Sequence, residues 1–529
     1  MRDQRVERLV RFLCRSAECN ARVKRIRVGL LIESGPAESW LYELIEQLGR
    51  IPFLEWSLFT IPATTVPTHP LMRRYPALER APRKLDFLPP PHLLTVKDGQ
   101  LTLESCDSIR GAQLDVLLAP APGRLRGDCE GLARNGVWSF EIEDTPLGAG
   151  NFGLFRSYER NASDFCIGLV RQNTELRSGA RMLTVQPRFQ FEFYDDWRAE
   201  ALLSLAVPVC IELLRMRCDW PLDQREEAPM GEPFAKPSQL RTIRVFSAKA
   251  VRYVRARIRR EGAPREWFIL WHYGDGRMLP DRRPNDWREF TGFPEHEAAD
   301  PFPCAWAGKE YLFYEDVVPP NGHGRLAVVP FENGCPGTPR VILEKPYHLS
   351  YPCVFEHEGQ MWMIPESAEN NTVELYRAKN FPFEWTREAA LAEDVSFVDT
   401  TPVVKGGQWF FFTTSSLPGG VLASFLFSAE TNGPWILHPC NPVSLSPDNS
   451  RGAGRILERD GGLIRPVQDC ALGYGYAIRI NQILELTSER FSEKQIARIL
   501  PTWRRSIVGT HTFNSDGVVE VTDARRYKH

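Results

Sequence analysis

Five residues in the second half of the chain are of types that move protons or hold anions: Asp300, Ser350, Asp399, Arg451 and His511. Each precedes, by six to ten residues, the glycine of a recurring polar turn: Gly308, Gly359, Gly407, Gly461 and Gly517. Two carboxylates facing each other across a pocket are what acetal chemistry requires. One protonates the departing oxygen while the other activates water or an acceptor hydroxyl. Arg451, Arg465 and His511 can offset the charge of a phosphate or a uronate. Glu366, a lone carboxylate closing the run QMWMIPES (360–367), is a further candidate acid, and His348, Ser350, Gln468 and Asp469 are candidate substrate ligands. Each also has an ordinary reading. An Asp before Pro, as in Asp300-Pro301, is common in turns, Asp399 can cap a bend with Thr400 and Thr401, and Arg451 can pair with either Asp.

The elements that must position these residues come from a repeat. AWAGKEYLFYED (305–316), FEHEGQMWMIPES (355–367), VVKGGQWFFFTTS (403–415), ILERDGGLIRPVQD (456–469) and FNSDGVVEVTDAR (513–525) share one form, an apolar run, a polar turn with Gly and a second apolar run. Their turn glycines are separated by 51, 48, 54 and 56 residues. Near-even spacing of this size predicts a five-bladed β-propeller over residues 265–529, each blade a small antiparallel sheet. WFILWHYG (267–274) is then the extra strand that closes the ring. The strand before each glycine is expected to line the axis, so the five polar residues meet at one mouth. A β-sandwich with coincidental spacing is the alternative.

The first half has another period. RVGLLIE (27–33) and LDVLLAP (114–120) read as buried strands. PAESWLYELIEQLGRI (36–51) reads as an amphipathic helix with Leu41, Leu44, Ile45 and Leu48 on one side. RAEALLSLAVPVCIELLRM (198–216) reads as a long apolar helix kinked at Pro208. Strands alternating with helices over residues 26–218 predict an α/β domain with a largely parallel sheet. Residues 219–264, opening with a stretch rich in Pro and charge, read as a linker, with a short strand and a basic helix expected over 242–261. Residues 1–25 form a basic segment in which Leu9, Phe12 and Leu13 can make the apolar face of a surface anchor.

A formal net charge of −2 provides no field for nucleic acid or an anionic membrane. The 12 cysteines form no CxxC pair and no ligand cluster, so reduced thiols and a cytoplasmic location are expected. No cofactor is expected, and a metal on the axis stays open, since no ligand cluster requires one. No run of 18 apolar residues predicts a transmembrane helix. The 14 tryptophans suit both core packing and sugar stacking.

The motifs ADPFPCAWAGKEYLFYED, HLSYPCVFEHEGQMWMIPES, ELYRAKNFPFEW, HPCNPV, RGAGRI, RPVQDCALGYGYAI and GTHTF resemble the N-terminal propeller of plant glucosamine inositolphosphorylceramide transferases and their bacterial relatives. That domain is in turn similar to the five-bladed propellers of arabinanase- and invertase-type glycoside hydrolases. The resemblance covers roughly residues 280–525. It implies Asp, Asp and Glu on the inner strands of the first three blades. This chain matches Asp300 in the first, but has Ser350 in the second and Asp399 in the third, which leaves Glu366 to substitute for the missing acid. Residues 26–218 resemble formyltransferase-like domains. There Ser139, Glu141 and Arg177 stand where the family's Asn, His and Asp carry formyl transfer, which argues against that reaction.

The resemblance and the axial ring together lead to a carbohydrate-active protein, acting by glycosyl transfer or glycoside cleavage in glycan, polysaccharide or glycolipid synthesis. Asp300 and Asp399 are the expected acid/base pair, with Glu366 in support. A partner glycosyltransferase is implied, since the plant relatives carry one after the propeller. A glycan-binding module without chemistry is the alternative, and a surviving sugar N-formyltransferase the remote one.

Overall fold

The computed structural model describes residues 2–18, 24–34, 39–62, 88–98, 100–120, 130–142, 145–146, 153–160, 166–172, 178–186, 202–221, 227–229, 237–262, 265–274, 287–320, 322–430 and 433–528. The chain divides into two compact units, Met1–Ala256 and the residues from Arg257 onward apart from Leu417–Val421.

In the first unit the apolar runs form a sheet. Ile26–Glu33 pairs in parallel with Leu54–Ile61 and with Val116–Leu118, which pairs in parallel with Val137–Ile142. Beyond that strand, Ile167–Gln172 and Ser178–Val185 add antiparallel partners. The sheet is therefore mixed rather than largely parallel, since these two strands run against their neighbours. The helix Ser39–Gly49 buries Leu41, Leu44, Ile45 and Leu48, as its period requires. In the later apolar run, helical Leu202 and Leu203 are separated from the helix Ala206–Arg217 by a turn at Ser204 and Leu205, so the run is broken one turn before Pro208. Leu9, Phe12 and Leu13 are buried, with helix Arg2–Glu18 packed beside Ala206–Arg217, so that face is a core face and not a surface anchor. Within 219–264, Glu227–Pro229 adds a strand antiparallel to Ser178–Val185, and one 24-residue helix, Gln239–Gly262, stands in place of the strand and helix expected over 242–261. Arg177 lies outside the described residues.

The second unit consists of five antiparallel sheets in chain order. The first four blades start on the strands Glu297–Trp306, Ser350–His357, Phe397–Lys405 and Arg451–Gly452. The fifth is built from Ile507–Gly509, Phe513–Ser515 and Val519–Tyr527. Arg265–Tyr273 pairs antiparallel with Val519–Tyr527 over its whole length, so the start of the unit completes its last blade. This closure leaves no open ring edge to pair with another chain. In the first four blades the repeat glycine and the residue before it both have positive φ (50° and 74° at Ala307 and Gly308), the two-residue type I′ hairpin that matches strand twist. Apolar residues alternate into the seams between blades: Phe302, Phe313, Val328, Cys353, Met363 and Tyr376 form one such core. The outermost strands, such as Glu384–Glu393, are mostly exposed. Among the described residues no helix is long and apolar enough to cross a membrane.

Candidate functional site

The inner strands of the first three blades carry the same distortion. Their registers shift between Ala299 and Phe302, Ser350 and Cys353, and Val398 and Thr401, with two residues facing one on the neighbouring strand. The first bulged residue has a left-handed backbone in each: Asp300 (φ 47°), Tyr351 (φ 47°) and Asp399 (φ 51°). All three stand eight residues before their turn glycine. The second-blade counterpart of the two aspartates is thus Tyr351, not Ser350, which sits one residue earlier and opposite Glu366 in the ladder.

Tyr351 is fully buried and ties its own blade to three others. Its backbone N–H donates to Asp300 Oδ2 at 3.2 Å, and its hydroxyl lies 2.8 Å from Thr401 Oγ1 and accepts from Gly454 N at 2.9 Å. Gly454 belongs to the RGAGRI motif, and a Cβ there would stand 2.1 Å from Phe513 O. Below it, Arg455 donates to Pro303 O and Val354 O, and Asn514 donates to Pro301 O. These bonds close the floor of the site, because buried backbone carbonyls must be paired.

Above the floor lies a carboxyl cluster. Asp300 accepts from Thr512 Oγ1 at 2.6 Å, and its Oδ1 is 3.9 Å from His511 Nε2. His511 is paired through Nδ1 with buried Asp523 and stacks on Trp267 at 4.1 Å between ring centres. Burial raises the Asp300 carboxyl to about 7; His511 opposes this, and the charges of Glu315, Asp399 and Asp523 add to it. Burial works against a charge on His511, but Asp523 and Asp300 outweigh it and its pKa is raised. Asp300, His511 and Asp523 each offer one ligand atom, all within 4.8 Å, a set a divalent cation could take; here they satisfy one another as a buried Asp–His–Asp chain.

Asp399 takes Arg451 Nε at 2.5 Å and Gln468 Nε2 at 3.3 Å. Arg451 also reaches Glu366 Oε2 at 3.4 Å, and its guanidinium lies 4.8 Å from the centre of the Tyr474 ring. Burial, then the neighbouring Asp399 carboxylate, hold Glu366 well above the usual carboxylate range. Burial opposes the charge of Arg451, but Asp399, Tyr474 and Glu366 outweigh it. Arg451 works against the rise at Glu366, so the burial of Glu366 and its closeness to Asp399 outweigh the arginine.

The sequence-predicted residues thus divide. Asp300, Asp399, Glu366, Arg451, Gln468 and His511 come together. Ser350 is buried at the edge of the cluster, and His348 lies on its rim with Nε2 3.0 Å from Glu315 Oε1. Arg465 is bound bidentately to Glu493, at 2.6 and 2.8 Å, and lies over Phe412; Asp469 pairs with Arg498 and Arg479. Both are ion pairs within the fourth blade, away from the cluster, because strand alternation turns them from the face that Gln468 presents. Sequence reasoning missed Tyr351, Glu315, Trp267, Tyr474, Thr512 and Asp523. One signal was available for Glu315: it follows its turn glycine by seven residues, as do Glu366, Thr414 and Gln468.

Residues 287–515 match the family model described as glucosamine inositolphosphorylceramide transferase 1, N-terminal. The chain is 33% identical over 211 residues to glucosamine inositolphosphorylceramide transferase 1 of Oryza sativa subsp. indica, covering 38% of this chain and 28% of that protein. It is 30% identical over 274 residues to the Arabidopsis thaliana protein, covering 46% and 36%. The match thus spans about a third of the relatives' length. Among solved structures, Zg3597, a family 117 glycoside hydrolase of Zobellia galactanivorans, is 15% identical with a TM-score of 0.32, covering 49% of this chain and 90% of that one. A GH43 β-xylosidase/α-arabinofuranosidase from a compost microbial metagenome is 13% identical with a TM-score of 0.33, covering 45% and 91%. Over residues 287–515 the propeller of this chain is thus similar in sequence to the N-terminal domain of glucosamine inositolphosphorylceramide transferase 1.

Proposed function

We propose that the propeller mouth is a carbohydrate site that carries out, or assists, glycosyl transfer or glycoside cleavage. The observation that carries this reading is the convergence of Asp300, Asp399 and Glu366 with Arg451 and the rings of Trp267, His511 and Tyr474. Aromatic faces receive the C–H face of a sugar, and the carboxyls act on its acetal oxygen. Asp300, with a carboxyl raised to about 7 by burial, is poised to give and take a proton at neutral pH. Asp399, bound by Arg451 and Gln468, is the complementary base. Glu366, held above the usual carboxylate range by burial and Asp399, is a reserve acid. Glycan or glycolipid synthesis is the setting the plant relatives' name suggests, with a partner glycosyltransferase supplying what the propeller does not.

The test is a mass-spectrometric screen of the purified chain with nucleotide sugars and oligosaccharide acceptors, alongside Asp300→Asn. A product that disappears in the variant supports an enzyme; a product made at an unchanged rate by Asp300→Asn overturns the assignment.

A second reading has its own support. Asp399 is already neutralised, and both aspartates are at most 5% exposed beneath Arg451 and Tyr474. This favours a glycan-binding module without turnover, which predicts ligand binding with no product in the same screen. For residues 26–218 we infer a retained formyltransferase-like scaffold without formyl transfer. Ser139 and Glu141 are buried in the central strand, and Ser139 is hydrogen-bonded by Gln172, which supports a packing role for both.

A further inference from the structure

The helix Gln239–Gly262 has two apolar faces. Thr242 and Val245 are buried, and the Phe246 ring packs edge-on against Phe155 at 6.3 Å, so this face is committed to its own unit. The opposite face is bare. Leu240 is 82% exposed, Ile243 49%, Val251 51% and Val254 53%. At about 100° per residue these four fall within an arc of about 80°, with Ser247 between them. Exposed Arg244 flanks the stripe on one side. In all the helix holds eight basic residues and one acidic one, a local +7 in a chain whose total is −2.

A monomeric protein gains nothing from ordering such a stripe toward water. A bilayer interface suits both features together: the apolar residues enter the acyl boundary while the arginines meet lipid phosphates. A protein partner could cover the stripe but would not call for this one-sided excess of arginine. We propose that this helix is a peripheral docking surface for an anionic lipid bilayer, lying in the membrane plane with its Leu240–Val254 face inserted. The proposal is independent of what the propeller mouth does.

The test is co-sedimentation of the full chain with vesicles of phosphatidylcholine, with and without phosphatidylglycerol, at low and high salt. Binding is expected only to the phosphatidylglycerol vesicles and should weaken with salt. The surface variant Leu240→Ser/Ile243→Ser/Val251→Ser/Val254→Ser should lower the vesicle-bound fraction at least tenfold, and Arg244→Gln/Arg252→Gln/Arg255→Gln by about tenfold. Hydrogen exchange of the wild-type chain is a second readout, needing no variant: residues 239–258 should become protected on adding the anionic vesicles. Absence of binding to either vesicle overturns the proposal. So does binding that the serine variant leaves unchanged, or self-association in solution that the serine variant abolishes, which would make a second copy the occupant.

Discussion

Arg451 Nε lies 2.5 Å from Asp399 Oδ2, and the same guanidinium reaches Glu366 at 3.4 Å, so one cation from the fourth blade holds carboxyls from the second and third. Both carboxyls are largely withdrawn from water, with side-chain exposures of 2% and 13%. Arg451→Met should therefore lower stability by about 3–5 kcal/mol, because it leaves a buried charge without its partner. Denaturant unfolding of the two proteins reads the loss.

Asp300 gives a second pH signature. Its carboxyl is raised by burial from 3.8 to about 7, so in the folded state it keeps a proton that the unfolded chain has already released. The stabilisation is complete below pH about 4, falls as pH rises toward 7, and is flat beyond, a total on the order of a few kcal/mol. Asp300→Asn should remove this slope. Melting curves across that window, compared between the two proteins, measure it. If Asp300 supplies the proton in turnover, wild-type activity should also decline as pH passes about 7.

Tyr351→Phe should leave Gly454 N–H buried without an acceptor and cost about 1–3 kcal/mol in thermal or urea unfolding. Gly454→Ala should cost more, about 3 kcal/mol or above, since the new methyl meets a backbone carbonyl that cannot retreat.

Trp267→Ala removes the ring stacked on His511. Weaker ligand binding is expected because His511 loses the ring that positions it, with the melting temperature lowered as for loss of a half-buried aromatic. Tyr474→Ala should weaken binding with little change in melting temperature, because its side chain is 39% exposed. Isothermal titration with the ligand found in the screen separates the two.

Much of the propeller was legible in sequence because its cause is local. A two-residue turn that needs positive φ calls for glycine each time it recurs, so the repeat shows as evenly spaced glycines flanked by apolar runs. The site was legible where it follows the same count. Asp300 and Asp399 stand eight residues before their glycines, and a uniform count would also have selected Tyr351 over Ser350 and found Glu315 beside Glu366. Arg465 and Asp469 have the right types in the right motif, but residue type does not reveal which partner a side chain finds.

By itself the sequence determined the α/β and β halves, the number of blades, the closing strand and the bulged positions that carry charge, since these depend on period, turn chemistry and strand alternation along a short stretch. Only the tertiary structure decided that Arg451 would join Glu366 to Asp399, that Tyr351 would seal the axis through Thr401 and Gly454, and that Leu9, Phe12 and Leu13 would be covered while Leu240 to Val254 were not. These pairings join residues about 50 to 200 positions apart. They exist because ring closure brings the ends of separate strands to one axis, and because burial there makes each charge find a partner or keep its proton.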